Sequence, residues 1–234
     1  MSYAGLVRPV IDRVHMSVRA AALPRLRPLY DRWGREPGFE TSLYAGLLAR
    51  PMSASAFAAA SVYNRKPIAP EIADTDADGN RTLTPLGREV ALAVQETIGA
   101  AAEELWSIDI PPGRPSPDRL CELAGRLLEA GADTGGPAFG AMAPPHEPEG
   151  AGAALVLTSR LSALRHHRGD AHRAAWAAEG LSVDEARNLT GGPLWERIEA
   201  DTNRRDEPVY AVLSASERWE FAAGLGALPD GLRS

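Results

Sequence analysis

A chain of 234 residues with 44% hydrophobic and 24% charged side chains can bury a substantial core, as one large domain or as two small ones. Its net charge of -6 excludes a general attraction to nucleic acid or to anionic membranes, so a DNA-binding face would need a local cluster of cations. The single cysteine, Cys121, excludes an intramolecular disulfide and favours a reducing, cytoplasmic setting. Since no apolar run is long enough to span a bilayer, no membrane partner is expected.

The front half, residues 1–110, has the pattern of a winged helix. An amphipathic helix is predicted over Glu40 to Ala49, and a short serine-capped helix follows it. A polar hairpin is predicted over Asp74 to Arg81, with its turn at Asp78-Gly79. Thr84 then caps a final helix that opens with proline, a residue that loses no hydrogen bond at the first helical position.

A connection rich in proline and glycine, residues 111–152, follows the front half. Its first part has apolar residues at helical spacing, which predicts a helix over Pro117 to Ala130. The later part, from Gly131 to Gly152, contains Gly135-Gly136-Pro137 and Pro144-Pro145 but few large apolar residues. Such composition is typical of a linker.

The back half, residues 153–234, repeats the order of the front half. An amphipathic helix is predicted over Asp170 to Glu179, followed by a serine-capped helix. A second hairpin is predicted at Asn203 to Glu207, leading into a strand over Val209 to Leu213 and a final helix. Two short matches between the halves lie at nearly the same offset, which favours an internal duplication. They pair Met52–Phe57 with Leu181–Ala186, and Leu83–Arg88 with Leu213–Arg218.

The expected fold is therefore mainly α with small β wings. Two winged-helix-like repeats are joined by the proline- and glycine-rich connection. The tandem repeat can act as a single-chain pseudo-dimer, and a true oligomer is the alternative.

Two segments carry a resemblance to a known family. Arg81-Thr82-Leu83-Thr84-Pro85-Leu86-Gly87-Arg88-Glu89 matches a wing-to-helix junction, and Arg168-Gly169-Asp170-Ala171-His172 is similar to a helix motif. On these residues the chain resembles the MarR-like winged-helix superfamily, and within it the related actinobacterial helix-turn-helix family. The resemblance implies a regulator, often dimeric, that binds DNA and responds to a small molecule.

Winged helices place a recognition helix in the major groove of DNA and wing cations near phosphate. Four residues of the front half are the candidates for DNA contact: Asn64, Arg65, Lys66 and Arg81. Two features oppose that role. Pro67 and Pro70 end a recognition helix soon after its start, and three hairpin aspartates repel phosphate.

The densest titratable chemistry lies in the eight residues from Arg165 to His172, which contain three of the five histidines. No two of these histidines have the i, i+4 spacing that would present both to one metal ion, so neither a metal nor another cofactor is expected. Arg165, Arg168 and His172 share one helical face, with Trp176 one turn further on.

Three interpretations of this segment stay open. In the first, the helix breaks at Gly169 and Asp170 caps a new helix, so the segment is structural. In the second, Arg165, Arg168, His172 and Trp176 form the polar wall of a pocket between the halves for an anionic or phenolic ligand. In the third, His166 or His172 is a general base oriented by Asp170.

The favoured function at this point is a small-molecule-responsive, MarR-like transcriptional regulator. The alternative is a winged-helix scaffold that has lost DNA binding and that binds or transforms a metabolite between its halves. Whether the chain is an enzyme stays open.

Overall fold

The computed structural model describes residues 2–64, 68–107 and 115–231. Helices dominate these residues, and one two-stranded hairpin accompanies them. In chain order the elements are α1 (Tyr3–Asp31), a 3-10 helix (Phe39–Ser42), α2 (Tyr44–Ala49), α3 (Ala54–Ala60), β1 (Ala73–Thr75), β2 (Arg81–Leu83), α4 (Pro85–Trp106), α5 (Pro117–Gly131), α6 (Pro137–Met142), α7 (Ala153–Ala178), α8 (Val183–Asn188), α9 (Gly192–Asp206), a second 3-10 helix (Glu207–Val212) and α10 (Ala215–Ala227).

The hydroxyl caps expected from the sequence are confirmed in both halves. In each case the side-chain oxygen accepts a hydrogen bond from a first-turn backbone N–H that has no partner within the helix. In the back half, Glu185 and Glu217 also reach back to the capping residue and complete capping boxes. The four caps are Ser53 of α3, Thr84 of α4, Ser182 of α8 and Ser214 of α10.

The front hairpin is also confirmed. Strands β1 and β2 pair antiparallel, with Asp74 opposite Thr82. The turn is closed by the Asp76 carboxylate, which accepts hydrogen bonds from the backbone N–H groups of Asp78 and Asn80. Gly79 has a φ of +81°, a left-handed conformation that favours glycine. Local turn chemistry therefore stabilises this hairpin, and Arg81 of β2 also pairs with Met52.

The second hairpin, expected in the back half, is wrong. Residues 203–206 form the last turn of α9, and residues 207–212 form the second 3-10 helix. Pro208 cannot donate to a strand ladder, and arginine side chains satisfy carbonyls that a partner strand would have bonded. Arg126 donates to the carbonyl of Val212, and Arg218 donates to that of Tyr210.

Helix α7 is continuous, so the break considered at Gly169 does not occur. A glycine in a helix interior costs only about 1 kcal/mol, and α7 packs against α4, α5, α6 and α9, which outweighs it. Asp170 is consequently not the cap of its own helix. Its carboxylate accepts hydrogen bonds from the backbone N–H groups of Ala138 (3.2 Å) and Phe139 (2.8 Å), and so caps α6 instead.

The connecting segment is partly as expected. The predicted helix over Pro117 to Ala130 is confirmed as α5. Residues 131–152 are more than a linker, because they contain α6, whose Phe139 and Met142 are buried. The boundary near Ile110 lies outside the described residues, and the division into two halves stays a prediction.

Buried side chains from both halves join in one hydrophobic core that extends from Ala4 to Leu228. A second, smaller cluster around Trp176 and Ile198 holds α8 and α9 against the end of α7. Among the described residues, no helix combines the length and the apolar content that a bilayer crossing requires.

Substitutions at two glycines are expected to change the free energy of unfolding in opposite directions. A Cβ at Gly87 would lie 1.8 Å from the carbonyl oxygen of Ile72, whereas a Cβ at Gly169 would meet nothing within 4 Å. Gly87→Ala is expected to lower the free energy of unfolding by about 2 to 3 kcal/mol, since backbone must shift. Gly169→Ala is expected to raise it by about 0.5 to 1 kcal/mol. Urea unfolding measures both, and a destabilising Gly169→Ala would contradict a continuous α7.

Candidate functional site

A cleft of about 450 Å³ lies between α1, α7, α9 and the segment that follows α3. Among the residues that the structure describes, four arginines line it, and two carboxylates, Asp12 and Glu199, are the acidic groups of its lining. The arginines are Arg8 and Arg19 of α1 and Arg165 and Arg168 of α7. The lining therefore carries an excess of two positive charges when its histidines are neutral, in a protein whose net charge is negative.

Ion pairs across the cleft join three helices. Asp12 accepts from Arg165 Nε at 2.8 Å and lies 3.3 Å from Arg8 Nε. Glu199 of α9 accepts from Arg8 Nη1 at 3.0 Å and from Arg168 Nη2 at 2.9 Å. Each carboxylate thus bridges two arginines, which holds α1, α7 and α9 at fixed separation and keeps the guanidinium groups close together.

Arg168 also reaches a buried polar cluster behind the cleft wall. Its Nη1 donates to Asn203 at 2.9 Å and lies 3.6 Å from Oδ2 of Asp206. The other oxygen of Asp206 lies 2.6 Å from Nδ1 of His167, and Nε2 of His167 is 2.9 Å from the Thr134 hydroxyl. His167 and Asp206 are almost fully buried, so this histidine belongs to the interior and not to the cleft.

Three other histidines line the cleft: His15, His166 and His172. Burial, followed by the charges of Arg165 and Arg19, lowers the pKa of His15 to about 2. Burial and the charge of Arg165 lower the pKa of His166 to about 4. Burial also lowers the pKa of His172, although the Glu199 carboxylate opposes this effect. All three rings are therefore neutral near pH 7.

Tyr63 joins the cleft to the segment after α3. Its hydroxyl lies 2.5 Å from Nδ1 of His172 and accepts a hydrogen bond from Nε1 of Trp176 at 3.1 Å. The hydroxyl can accept from the indole N–H and still share a second hydrogen bond with Nδ1, whose direction depends on which nitrogen of His172 carries the proton. Tyr63 has no counterpart in the sequence-based predictions, because nothing local distinguishes it from a core aromatic residue.

The cleft brings together most of the ligand-binding and catalytic candidates that the sequence singled out. Arg165, His166, Arg168 and His172 all line it, whereas Trp176 is buried and reaches it only through Tyr63. Their roles in ligand binding or catalysis stay predictions.

Asp170 stands apart from this group. Besides capping α6, its carboxylate accepts a hydrogen bond from Arg173 at 2.7 Å. It is therefore committed to partners other than His166 and His172, and the geometry does not pair it with either ring.

Sequence reasoning missed the contribution of α1. Arg8, Asp12, His15 and Arg19 fall at i, i+4, i+7 and i+11, which places them on one helical face. A polar stripe on a helix whose other face is apolar is the sequence feature that could have indicated the role of α1 in the cleft.

The two described DNA-contact candidates of the front half, Asn64 and Arg81, have different partners. The carbonyl of Asn64 accepts a hydrogen bond from Arg187 of α8, and the Arg81 guanidinium lies 5.1 Å from the centre of the Phe57 ring. Arg65 and Lys66 lie outside the described residues. The described residues between α3 and β1, 61–64 and 68–72, form turns and irregular structure and no helix.

Carboxylates also lie on two other exposed surfaces that carry arginines, the front hairpin and α9. The aspartates at positions 74, 76 and 78 are exposed on the wing. On α9, Arg204 and Arg205 both form ion pairs with Asp201. Such pairing weakens the attraction of a surface for phosphate.

Because these histidines are neutral in the folded protein, we expect its stability to decrease in mild acid. Their folded-state pKa values lie below the unfolded value of 6.5, so the unfolded state binds protons first as the pH falls. The free energy of unfolding is therefore expected to decrease from pH 6.5 to pH 5, above the range in which carboxylates titrate. His166→Gln is expected to remove on the order of 1 kcal/mol of that decrease. The free energy of unfolding is measured by urea unfolding across this pH range. If its slope against pH is the same in His166→Gln and His15→Gln as in the unaltered protein, the prediction is contradicted.

Comparison with known proteins relates the chain to one family. A family model described as "Helix-turn-helix family" matches residues 7–193, which run from α1 to the start of α9 and include the hairpin and the α1 and α7 walls of the cleft. No curated protein and no solved structure matches the chain. Because the match covers most of its length, the chain belongs to this helix-turn-helix family.

Proposed function

We propose that this chain is a MarR-like transcriptional regulator whose effector is a small organic anion bound in the central cleft. The observation that carries the proposal is the excess of arginines over carboxylates in the cleft. Its volume of about 450 Å³ lies within the range of small-molecule sites. A guanidinium group recognises a planar carboxylate through two parallel hydrogen bonds, which favours this class of ligand.

Arg165 is the arginine best suited to hold the anion. Its side chain is 35% exposed and its one ion-pair partner is Asp12, whereas the Arg168 side chain is 13% exposed and pairs with Glu199 and Asp206. Arg168 therefore forms a fixed wall, while Arg165 can exchange part of its contact with Asp12 for a ligand. His172 contributes a neutral imidazole to the cleft wall, and Trp176 supports it through Tyr63.

The position of the cleft supports a regulatory role for the ligand. Ala59, Ala60, Val62 and Tyr63 line it, and they lie at the end of α3 and directly after it. The next residues are the DNA-contact candidates of the front half. A ligand that contacts Tyr63 would thus act on the residue directly before Asn64, Arg65 and Lys66 and could favour one conformation of that segment.

The ligand proposal is tested by calorimetric titration with a panel of monocarboxylates, including benzoate and hexanoate. Arg165→Gln is expected to weaken binding by about tenfold or more, because a charge-assisted hydrogen bond is lost. Arg204→Gln is the matched control: this arginine is 74% exposed on α9, and its removal is expected to leave affinity unchanged. The absence of binding by every anion, or equal losses in both variants, would refute the proposal.

A second candidate is a ligand-binding protein on the same scaffold without DNA binding. The carboxylates of the wing and of α9 favour it, whereas family membership favours the regulator. Both candidates use the same cleft, so DNA binding separates them.

DNA binding is tested by gel shift with DNA that flanks the gene, over a series of salt concentrations. For the regulator we expect salt-dependent binding that the double change Arg65→Ala with Lys66→Ala abolishes. The matched double change Arg204→Ala with Arg205→Ala on α9 is expected to retain it. No binding at low ionic strength would leave the second candidate, and loss in the α9 variant alone would assign the contact to the back half.

A further inference from the structure

A small cavity of about 50 Å³ adjoins the cleft and has the opposite character. It lies between α1, α2, α4 and α7, and most of its wall is apolar. The apolar side chains that form it are Val14, Val18, Val94, Ile98 and Leu161, with Ala45 of α2 at one side.

The cavity and the cleft share part of their walls. His15, Arg19 and Ser42 line both, so the apolar space is next to the basic one and is reached past these residues. Arg19 is at this junction, where its guanidinium donates a hydrogen bond to the Thr41 hydroxyl. A molecule that reached from the cleft into the cavity would pass this side chain.

The cavity wall also includes polar side chains, and those of Gln95, Ser159, Thr41 and Thr158 already have hydrogen-bond partners within the protein. The amide nitrogen of Gln95 donates to the carbonyl of His146 (2.7 Å) and to the Ser159 hydroxyl (3.2 Å), and its oxygen accepts from Nδ1 of His146 at 3.0 Å. Gln95 thus needs no partner from a ligand. The cavity accordingly favours a group that forms no hydrogen bonds.

We propose that the ligand is amphipathic: an organic acid whose carboxylate lies in the cleft near Arg165 and whose short apolar end fills the cavity beyond Arg19. This inference rests on the proposed function, because it specifies the class of anion that the same cleft takes. The size of the cavity limits the apolar end to a few carbon atoms, while the larger cleft holds the rest of the molecule.

A chain-length series tests the proposal on the intact protein. Dissociation constants of acetate, butyrate, hexanoate and octanoate are measured by calorimetric titration, with 1-hexanol as the uncharged analogue of hexanoate. Affinity is expected to rise about three- to fourfold per methylene until the cavity is full, since each buried CH2 contributes about 0.8 kcal/mol. Hexanol is expected to bind at least about tenfold more weakly than hexanoate.

Variants that fill the cavity identify where the chain lies. Ala45→Leu and Ser162→Leu place bulk at the cavity from two different helices, α2 and α7. Ala20→Leu, at an exposed position of α1, is the matched control. Both filling variants are expected to abolish the gain from acetate to octanoate while acetate affinity is kept, and the control is expected to retain the gain. Melting curves verify that each variant is folded. If one of the two filling variants does not fold, the other still tests the proposal.

The outcomes separate the two proposals. A chain-length gain that persists in folded Ala45→Leu or Ser162→Leu, or no gain in the unaltered protein, would overturn the amphipathic ligand but leave an anion in the cleft. Failure of all carboxylates, acetate included, would remove the proposed function itself. Loss of the gain in the filling variants alone would support the cavity as the binding place of the apolar end.

Discussion

The buried carboxylate of Asp206 imposes the constraint on which the rest of the structure depends. Its side chain is 1% exposed, and a buried charge is tolerated only when it is paired and hydrogen-bonded. His167 supplies the hydrogen bond to one oxygen, and Arg168 supplies positive charge near the other. Since both partners are on α7 and Asp206 ends α9, these two helices must cross where the three groups meet.

This crossing explains the form of the cleft. With Arg168 fixed by Asp206 and Glu199, the adjacent turns of α7 direct Arg165 toward α1 and His172 toward Tyr63. Two carboxylates, each shared by two arginines, then hold the basic groups together in spite of their mutual repulsion. The same arrangement that places His167 and Arg168 beside the buried Asp206 carboxylate therefore leaves a cationic concavity with an apolar recess beside it.

Local features were predicted well, and features that depend on distant partners were not. The serine and threonine caps, the hairpin around Gly79 and helix α5 follow from a few consecutive residues, and all are present. The back hairpin and the cap at Asp170 were wrong, because the same residues found better partners elsewhere in the fold. For Asp170 those partners are the first N–H groups of α6, which no periodicity could indicate.

By itself, the sequence determined the helical class of the fold, the points at which its capped helices begin, the front hairpin and the segment of α7 where titratable groups concentrate. Only the tertiary structure decided that Arg8, His15 and Arg19 of α1 face that segment, that Trp176 acts through Tyr63, and that an apolar cavity adjoins the cleft. The physical reason is one of range. Caps and turns are stabilised by contacts within a few residues, whereas a cleft is formed by side chains whose separation along the chain bears no relation to their distance in space.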